Sequence, residues 1–486
     1  MILALVAALA FAQDTATARL AAPVGDSMAV LDFAAFHEQV RRRHPVARQA
    51  ELLEARASAE LLAARAPLWD PVLGAEWSRK EFQSSEYYNY LEAGLKVPTP
   101  VGVEFKLGYE LTRGEYINPD RTTPGDGLWV AGVTIPLGQG LITDARRNAL
   151  AEARGLREVA VAERQAQVNK LLFAAAKDYA VWYEAWRRRS VAREGFELAD
   201  MRYRFVQRRF EDGDAAASDT VEAGLELQRR IVAQLEADNA WYVTSQVVST
   251  YLWDDRAVPY DLGPGVVPTL AGLAPSAADT TALDGWLARA LAQHPDLQKA
   301  LARQRVAEVN RRYYGQELLP DITLEMAALK DGATGPFQDW PGRSANYKFG
   351  LAGKTSLLLM KERGAFNAAG AKLESAALEI AMLGRELRAT VLASANEAVA
   401  FQRIAEVQRS AVAQARVLRD GEARRVQEGE STLFVLNQRD RLLLDEAIKL
   451  AGYEAKYLGA RAALAVALGG SLAGDGTVTP VAEPTR

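Results

Sequence analysis

Lys361–Val426 reads KERGAFNAAGAKLESAALEIAMLGRELRATVLASANEAVAFQRIAEVQRSAVAQARVLRDGEARRV, without a proline anywhere in it. Leu373, Ile380, Leu387, Ser394 and Phe401 recur every seven residues, and Ala377, Gly384, Val391, Ala398 and Ala405 form a companion row four positions on. A seven-residue repeat with two rows is a coiled-coil seam, and the small residues in it let helices approach closely. The stretch predicts a single helix of about 66 residues, close to 100 Å at 1.5 Å per residue. Globular helices average three to four turns, so this length excludes an ordinary compact domain.

A second proline-free span, Asp144–Phe210, predicts another helix of the same length. Each long helix meets a glycine and then a returning helix: Gly213 before Ser218–Trp253, and Gly429 before Leu433–Leu468. The region ahead of each long helix repeats as well. Leu31-Asp32-Phe33 leads through His44-Pro45 to Trp69-Asp70-Pro71, and Leu283-Asp284-Gly285 leads through His294-Pro295 to Leu319-Pro320-Asp321. Proline suits the first turn of a helix, where its missing N–H costs nothing, so His44 and His294 read as helix-end residues. Three histidines in all, His37 included, make an all-histidine zinc site implausible.

Between the helices lies strand-like text. Val101, Val103, Phe105, Leu107, Tyr109 and Leu111 alternate with Gly102, Glu104, Lys106, Gly108, Glu110 and Thr112, giving one apolar and one polar face. Four such runs, about 72–82, 89–97, 101–113 and 127–137, fall in the first repeat, and two, near Ile322–Met326 and Tyr347–Leu351, in the second. Aromatic residues gather at their ends, among them Trp77, Tyr87, Tyr88, Tyr90, Trp129, Trp340 and Tyr347, as they do in the interface girdles of membrane barrels. The edge of a soluble β-sandwich would alternate in the same way. Four or six strands cannot close a barrel, and open edges are not tolerated in lipid, so strands in a membrane require several copies to share one barrel. Six strands per copy would widen it; the preferred alternative sets the Pro98-Thr99-Pro100 hairpin outside the bilayer.

The domain boundaries expected are 1–12 signal peptide, 30–258 first repeat, 259–283 linker, 284–469 second repeat and 470–486 disordered tail. Met1–Ala12 is an apolar run ending Ala10-Phe11-Ala12, which fits signal cleavage before Gln13, although a basic leading region is missing. An apolar N-terminal helix is the alternative. No later run approaches the ~18 apolar residues of a membrane helix.

Composition narrows function further. At 486 residues and 49% apolar content the chain can bury a large core. Its net charge of -4, with both signs interspersed, gives no field that would favour nucleic acid. There are no cysteines, which removes disulfides, thiolate metal sites and cysteine nucleophiles. With no Walker A loop, metal-ligand cluster or Ser/His/Asp constellation, neither an enzyme nor a cofactor is expected.

The joints carry a resemblance. Arg209-Phe210-Glu211-Asp212-Gly213, continuing to Asp219 and Ala223, is similar to the periplasmic-tip motif of the TolC family of outer-membrane factors, with Thr220 where the family usually has valine. Gly429-Glu430-Ser431-Thr432-Leu433-Phe434-Val435-Leu436-Asn437 resembles the corresponding turn of the second repeat. Pro136-Leu137-Gly138-Gln139-Gly140 and Lys361-Glu362-Arg363-Gly364, where strand passes into long helix, are also similar to family members. The likeness covers about residues 30–470.

It implies a mixed α/β membrane protein: a homotrimer sharing an outer-membrane β-barrel that continues as a long periplasmic α-helical coiled-coil barrel. Such a duct passes substrates from a periplasmic adaptor and an inner-membrane transporter to the outside, in a tripartite efflux pump or a type I secretion system. Its expected partners are outer-membrane lipid, the adaptor and the transporter, with no nucleic acid. Arg209, Gly213, Asp214, Asp219, Ala223, Gly429 and Glu430 would form the adaptor-docking tip. Many family members narrow the tip with aspartates; here Val435-Leu436-Asn437-Gln438 carries none before Asp440, leaving Asn437 and Gln438 as a neutral constriction. Both glycines also fit plain helix caps. The rival reading is a soluble periplasmic coiled-coil adaptor or scaffold, which would explain the helices but not the strands.

Overall fold

The computed structural model describes residues 29–263, 265–270, 283–337, 340, 346–472 and 478–479. The expected signal peptide, part of the linker and most of the tail lie outside them. The chain divides into two compact units. One takes its described residues from Met1–Ala50, Gln165–His294 and Glu386–Arg486, and the other comprises Glu51–Arg164 and Pro295–Arg385.

The helices follow the repeat. They are α1 (Phe33–Arg43), α2 (Pro45–Trp69), α3 (Ala145–Glu211), α4 (Ala217–Ser249), α5 (Leu283–Gln293), α6 (Pro295–Gln316), α7 (Met360–Gln427) and α8 (Leu433–Ala467). The long helices α3 and α7 have 67 and 68 residues. His44 caps α1 with its N–H on the Val40 carbonyl, and the His294 N–H bonds the Ala290 carbonyl after α5, so both fill the helix-end role expected of them. His37 does not: it sits in the middle of α1, buried against Phe33.

The first unit packs in two clusters. Phe33, Phe36 and Val40 of α1 meet Leu172, Ala175, Ala176, Tyr179 and Trp182 of α3, together with Val248 at the end of α4. Full burial of each large side chain contributes about 1.5–3 kcal/mol. In the second cluster Leu287 and Ala290 of α5 rest on Leu387, Val391, Ala395 and Ala398 of α7, the same placement one repeat later. Helix α8 serves both: Leu458, Ala462 and Ala465 enter the first cluster, and Ala460, Leu464 and Ala467 the second. The heptad rows of α7 are buried from Leu387 through Ala405, with Phe401 half-buried, whereas Ala377 is exposed. Two strands from the expected linker and N-terminal boundary, β1 (Val30–Asp32) and β6 (Val267–Thr269), pair in parallel in this unit, and the Tyr179 hydroxyl bonds both Leu31 and Thr269. Within the segment expected to be a disordered tail, β9 (Ser471–Leu472) pairs antiparallel with β10 (Val478–Thr479).

The second unit holds one antiparallel sheet of six strands: β2 (Val72–Phe82), β3 (Ser85–Pro98), β4 (Glu104–Arg113), β5 (Leu128–Pro136), β7 (Asp321–Asp331) and β8 (Tyr347–Lys354), in the order β2-β3-β4-β5-β7-β8. The Pro98-Thr99-Pro100 hairpin is therefore not set apart from the other strands; β3 and β4 pair along ten residues in the middle of the ladder. Alternation sorts the faces. One row runs Leu73, Leu95, Leu107, Ala131, Ala328, Tyr347, and another Val97, Phe105, Val133, Met326, Phe349. On the opposite face one row runs Val72, Lys96, Lys106, Gly132, Ala327, Lys348, and another Glu76, Glu92, Glu110, Leu128, Asp331. Lys106 reaches Glu92 at 3.1 Å and Glu110 at 3.9 Å, so the charged rows offset one another.

The two repeats meet within this unit at Gly138. Its neighbours Leu137 and Gln139 donate backbone N–H groups to Ile322 and Pro320, and a Cβ at Gly138 would fall 1.9 Å from the Pro320 carbonyl oxygen. Only glycine fits that approach.

Candidate functional site

The first unit carries both helix-to-helix turns. Helix α3 ends in a Schellman motif: the Gly213 N–H bonds the Phe210 carbonyl at 3.0 Å and the Asp214 N–H the Arg209 carbonyl at 2.7 Å, with Gly213 at φ +83°. Helix α7 ends identically, Gly429 bonding Val426 at 3.2 Å and Glu430 bonding Arg425 at 2.9 Å, with Gly429 at φ +77°. The left-handed backbone explains glycine at both positions. Neither glycine has a neighbour within 4 Å of where a Cβ would stand, so the space over both turns is open. Thr432 then caps α8, its hydroxyl accepting from the Val435 N–H.

Of the residues expected at the docking tip, Arg209, Gly213, Asp214, Asp219, Gly429 and Glu430 are exposed. Arg209 folds back to donate to the Asp214 carbonyl at 3.0 Å. Glu430 lies 3.9 Å from Arg425. Ala223 differs: it is buried in the chain, although it stands four residues from exposed Asp219 on the same helix. The residues expected at a constriction also separate. Asn437 is buried and takes a hydrogen bond from Arg202 of α3, whereas Gln438, one residue on, is exposed.

Behind the turns is a charged layer that periodicity did not reveal. Asp440 of α8 is buried between Arg202 of α3, at 2.5 Å, and Arg419 of α7, at 3.4 Å. Glu226 of α4 is buried between Arg230, at 2.9 Å, and Arg441 of α8. Burial opposes the Glu226 charge, but its bonds to Arg441 and Arg230 outweigh it and hold the carboxyl below the usual range. Glu422, close to the second turn, is buried and accepts from the Ser431 hydroxyl. Two carboxylates thereby tie all four long and returning helices together. Of these contacts only Glu226–Arg230 is an i,i+4 pair visible in sequence.

Among the described residues no group of His, Cys, Asp and Glu could hold a metal, and no helix is long and apolar enough to cross a membrane.

Residues 286–470 match the family described as outer membrane efflux protein. No curated protein matches the chain. Several solved structures are similar to it over most of their length. The CmeC outer membrane channel of Campylobacter jejuni is 12% identical, with 89% of this chain and 84% of that chain covered and a TM-score of 0.62. The outer membrane protein VceC of Vibrio cholerae is 16% identical, with coverage of 90% and 95% and a TM-score of 0.60. For the open state of the MtrE outer membrane channel of Neisseria gonorrhoeae the values are 15%, 90% and 88%, and 0.60. Identity this low speaks to fold, and the fold is shared across both repeats. Residues 286–470 are thus similar in sequence to outer membrane efflux proteins, and along nearly all of its length the chain shares the fold of these outer membrane channels.

Proposed function

We propose that this protein is the outer-membrane duct of a tripartite export assembly, an efflux pump or a type I secretion system, working as a homotrimer with a periplasmic adaptor and an inner-membrane transporter. The observation that carries the reading is the six-stranded sheet. One face is mostly apolar through the middle of the sheet and the other carries the lysine and glutamate rows, which suits lipid outside and water inside, and among the described residues neither edge strand has a partner. A soluble adaptor has no use for such a face.

Helix α4 gives independent support for assembly. Val221, Leu225, Val232, Leu235 and Tyr242 are exposed at coiled-coil spacing, a stripe that another copy would cover. The turns suit docking because their exposed residues, Arg209, Asp214, Asp219 and Glu430, surround glycines with open space above them. Gln438 is the remaining candidate for a polar constriction.

The test is fractionation, mass and transport together. The protein should stay with outer membranes through a high-salt wash, run in detergent at three times the mature chain mass, and restore efflux of a fluorescent dye or export of a secreted substrate to cells lacking their own duct. Release by salt, or a monomer in detergent, refutes it.

A further inference from the structure

We infer that each copy contributes all six strands to the shared barrel, β2 of one copy pairing antiparallel with β8 of the next, so that three copies close a wall of eighteen strands. The inference rests on the duct reading above and concerns the build of its barrel.

Polarity comes first. The sheet is antiparallel with an even number of strands, so its two edges, β2 and β8, run in opposite directions. Adding a second copy edge to edge continues an antiparallel ladder without a break. Four strands per copy would satisfy this rule as well, so polarity alone does not decide the number.

The stagger within the sheet goes further. Val72 is level, through the ladder, with Lys96, Lys106, Gly132, Ala327 and Lys348. From that row β2 extends ten residues in one direction, while β8 extends six residues, from Lys348 to Lys354, in the other. The strand centres are therefore displaced by about 7–8 residues over five strand steps, or ~25 Å along the strands against ~24 Å across them. That is a slope of roughly 45°, at the tilt of 35–45° by which membrane barrels close. The strand centres step in the same direction from each strand to the next, and β3 and β4 carry their share of that displacement.

The faces agree. Leu95, Val97, Phe105, Leu107 and Tyr109 on β3 and β4 join the apolar rows of β2, β5, β7 and β8, in which Lys330 beside Trp129 is the charged member at the Tyr109 level. A hairpin held in water would have no need of this surface.

The stagger also sets the seam. Side chains keep their faces only if the shift between copies is an even number of residues. A shift of about eight places Gly353 of β8 against Ala75 of β2 in the next copy and Leu351 against Trp77, all on the lipid side. On the inner side Lys354 then lies diagonal to Glu76, a pair of opposite charge, within the reach of long side chains. Barrel diameter grows roughly linearly with strand number, so this wall is about 1.5-fold wider than one of twelve strands.

The absence of native cysteine gives a clean background for the test. Gly353→Cys with Ala75→Cys should yield a disulfide-linked trimer on a non-reducing gel. Gly353→Cys with Gly74→Cys, out of phase, should not; a Cβ at any of these glycines meets nothing within 4 Å of its own chain. In parallel, Leu107→Cys and Lys106→Cys carry a fluorophore in proteoliposomes. Leu107 should be quenched several-fold more by a bilayer-borne quencher than by aqueous iodide, and Lys106 the reverse. If the Gly353/Ala75 link forms but Leu107 responds to iodide, β3 and β4 lie outside the wall; the six-strand barrel is then wrong and the trimeric duct stands. A trimer whose Leu107 faces lipid but which never cross-links refutes the β2–β8 seam. A monomer that neither cross-links nor inserts removes the duct reading itself.

Discussion

Arg202 of α3 and Asp440 of α8 meet at 2.5 Å, with the aspartate side chain 8% exposed. Removing one member of a buried pair strands the other, which typically costs 3–5 kcal/mol. Arg419 remains near Asp440, so Arg202→Ala should cost about 3 kcal/mol, read as a lower midpoint in thermal unfolding of the detergent-solubilised protein. Arg202→Ala with Asp440→Ala should cost less than the two single changes summed. The exposed pair Arg56–Glu60 is the control: Arg56→Ala should move stability by no more than ~0.5 kcal/mol.

The turns call for substitutions that separate docking from capping. Gly213 is at φ +83°, so Gly213→Ala should cost about 1–2 kcal/mol through backbone strain alone, and Gly213→Asn less. Ala223 is buried, and Ala223→Trp should lower protein level by overpacking. Asp219 is exposed and free of both complications. Asp219→Trp should leave trimer abundance normal and reduce export severalfold. Normal export by Asp219→Trp at normal abundance would remove the docking assignment.

His37 makes stability depend on pH. Burial beneath Phe33 lowers its pKa from 6.5 to about 4. Between those values the unfolded chain binds a proton that the folded chain refuses. Stability is therefore full above pH 6.5, falls as pH drops through this window, and changes no further below about 4. The loss from this group is at most about 3.4 kcal/mol, taking 1.36 kcal/mol per pKa unit. Unfolding curves between pH 4 and 7 should show His37→Leu with a flatter dependence than the natural chain.

Tyr179→Phe tests the junction of the first repeat with the linker strand. The Tyr179 hydroxyl lies 2.7 Å from the Leu31 carbonyl and 2.9 Å from that of Thr269, and accepts from the Thr269 N–H at 3.0 Å. Losing it removes these hydrogen bonds, at about 0.5–1.5 kcal/mol. Hydrogen exchange at the Thr269 amide should speed up even where the global melting point shifts little.

The long elements were legible because local signals mark their ends. The reading 144–210 compares with Ala145–Glu211, and 361–426 with Met360–Gln427; absence of proline and a capping glycine mark both. Helix α4 ends sooner than its apolar pattern, at Ser249 rather than Trp253, because Thr250, Tyr251 and Leu252 turn their N–H groups to carbonyls three residues back. Strand membership was less legible. Two prolines around Thr99 read as a break, whereas the structure uses them at the end of a hairpin whose strands stay in the sheet. The charged layer escaped altogether, since Arg202 and Asp440 are 238 residues apart and no period links them. Asn437 read as lining a constriction because sequence gave no sign that Arg202 would claim it.

Helix α8 closes both hydrophobic clusters of its unit, and it follows in chain order every other helix that builds them. Neither repeat can complete its core until residues past Leu433 arrive, so a chain cut short there leaves two apolar surfaces open rather than one finished half.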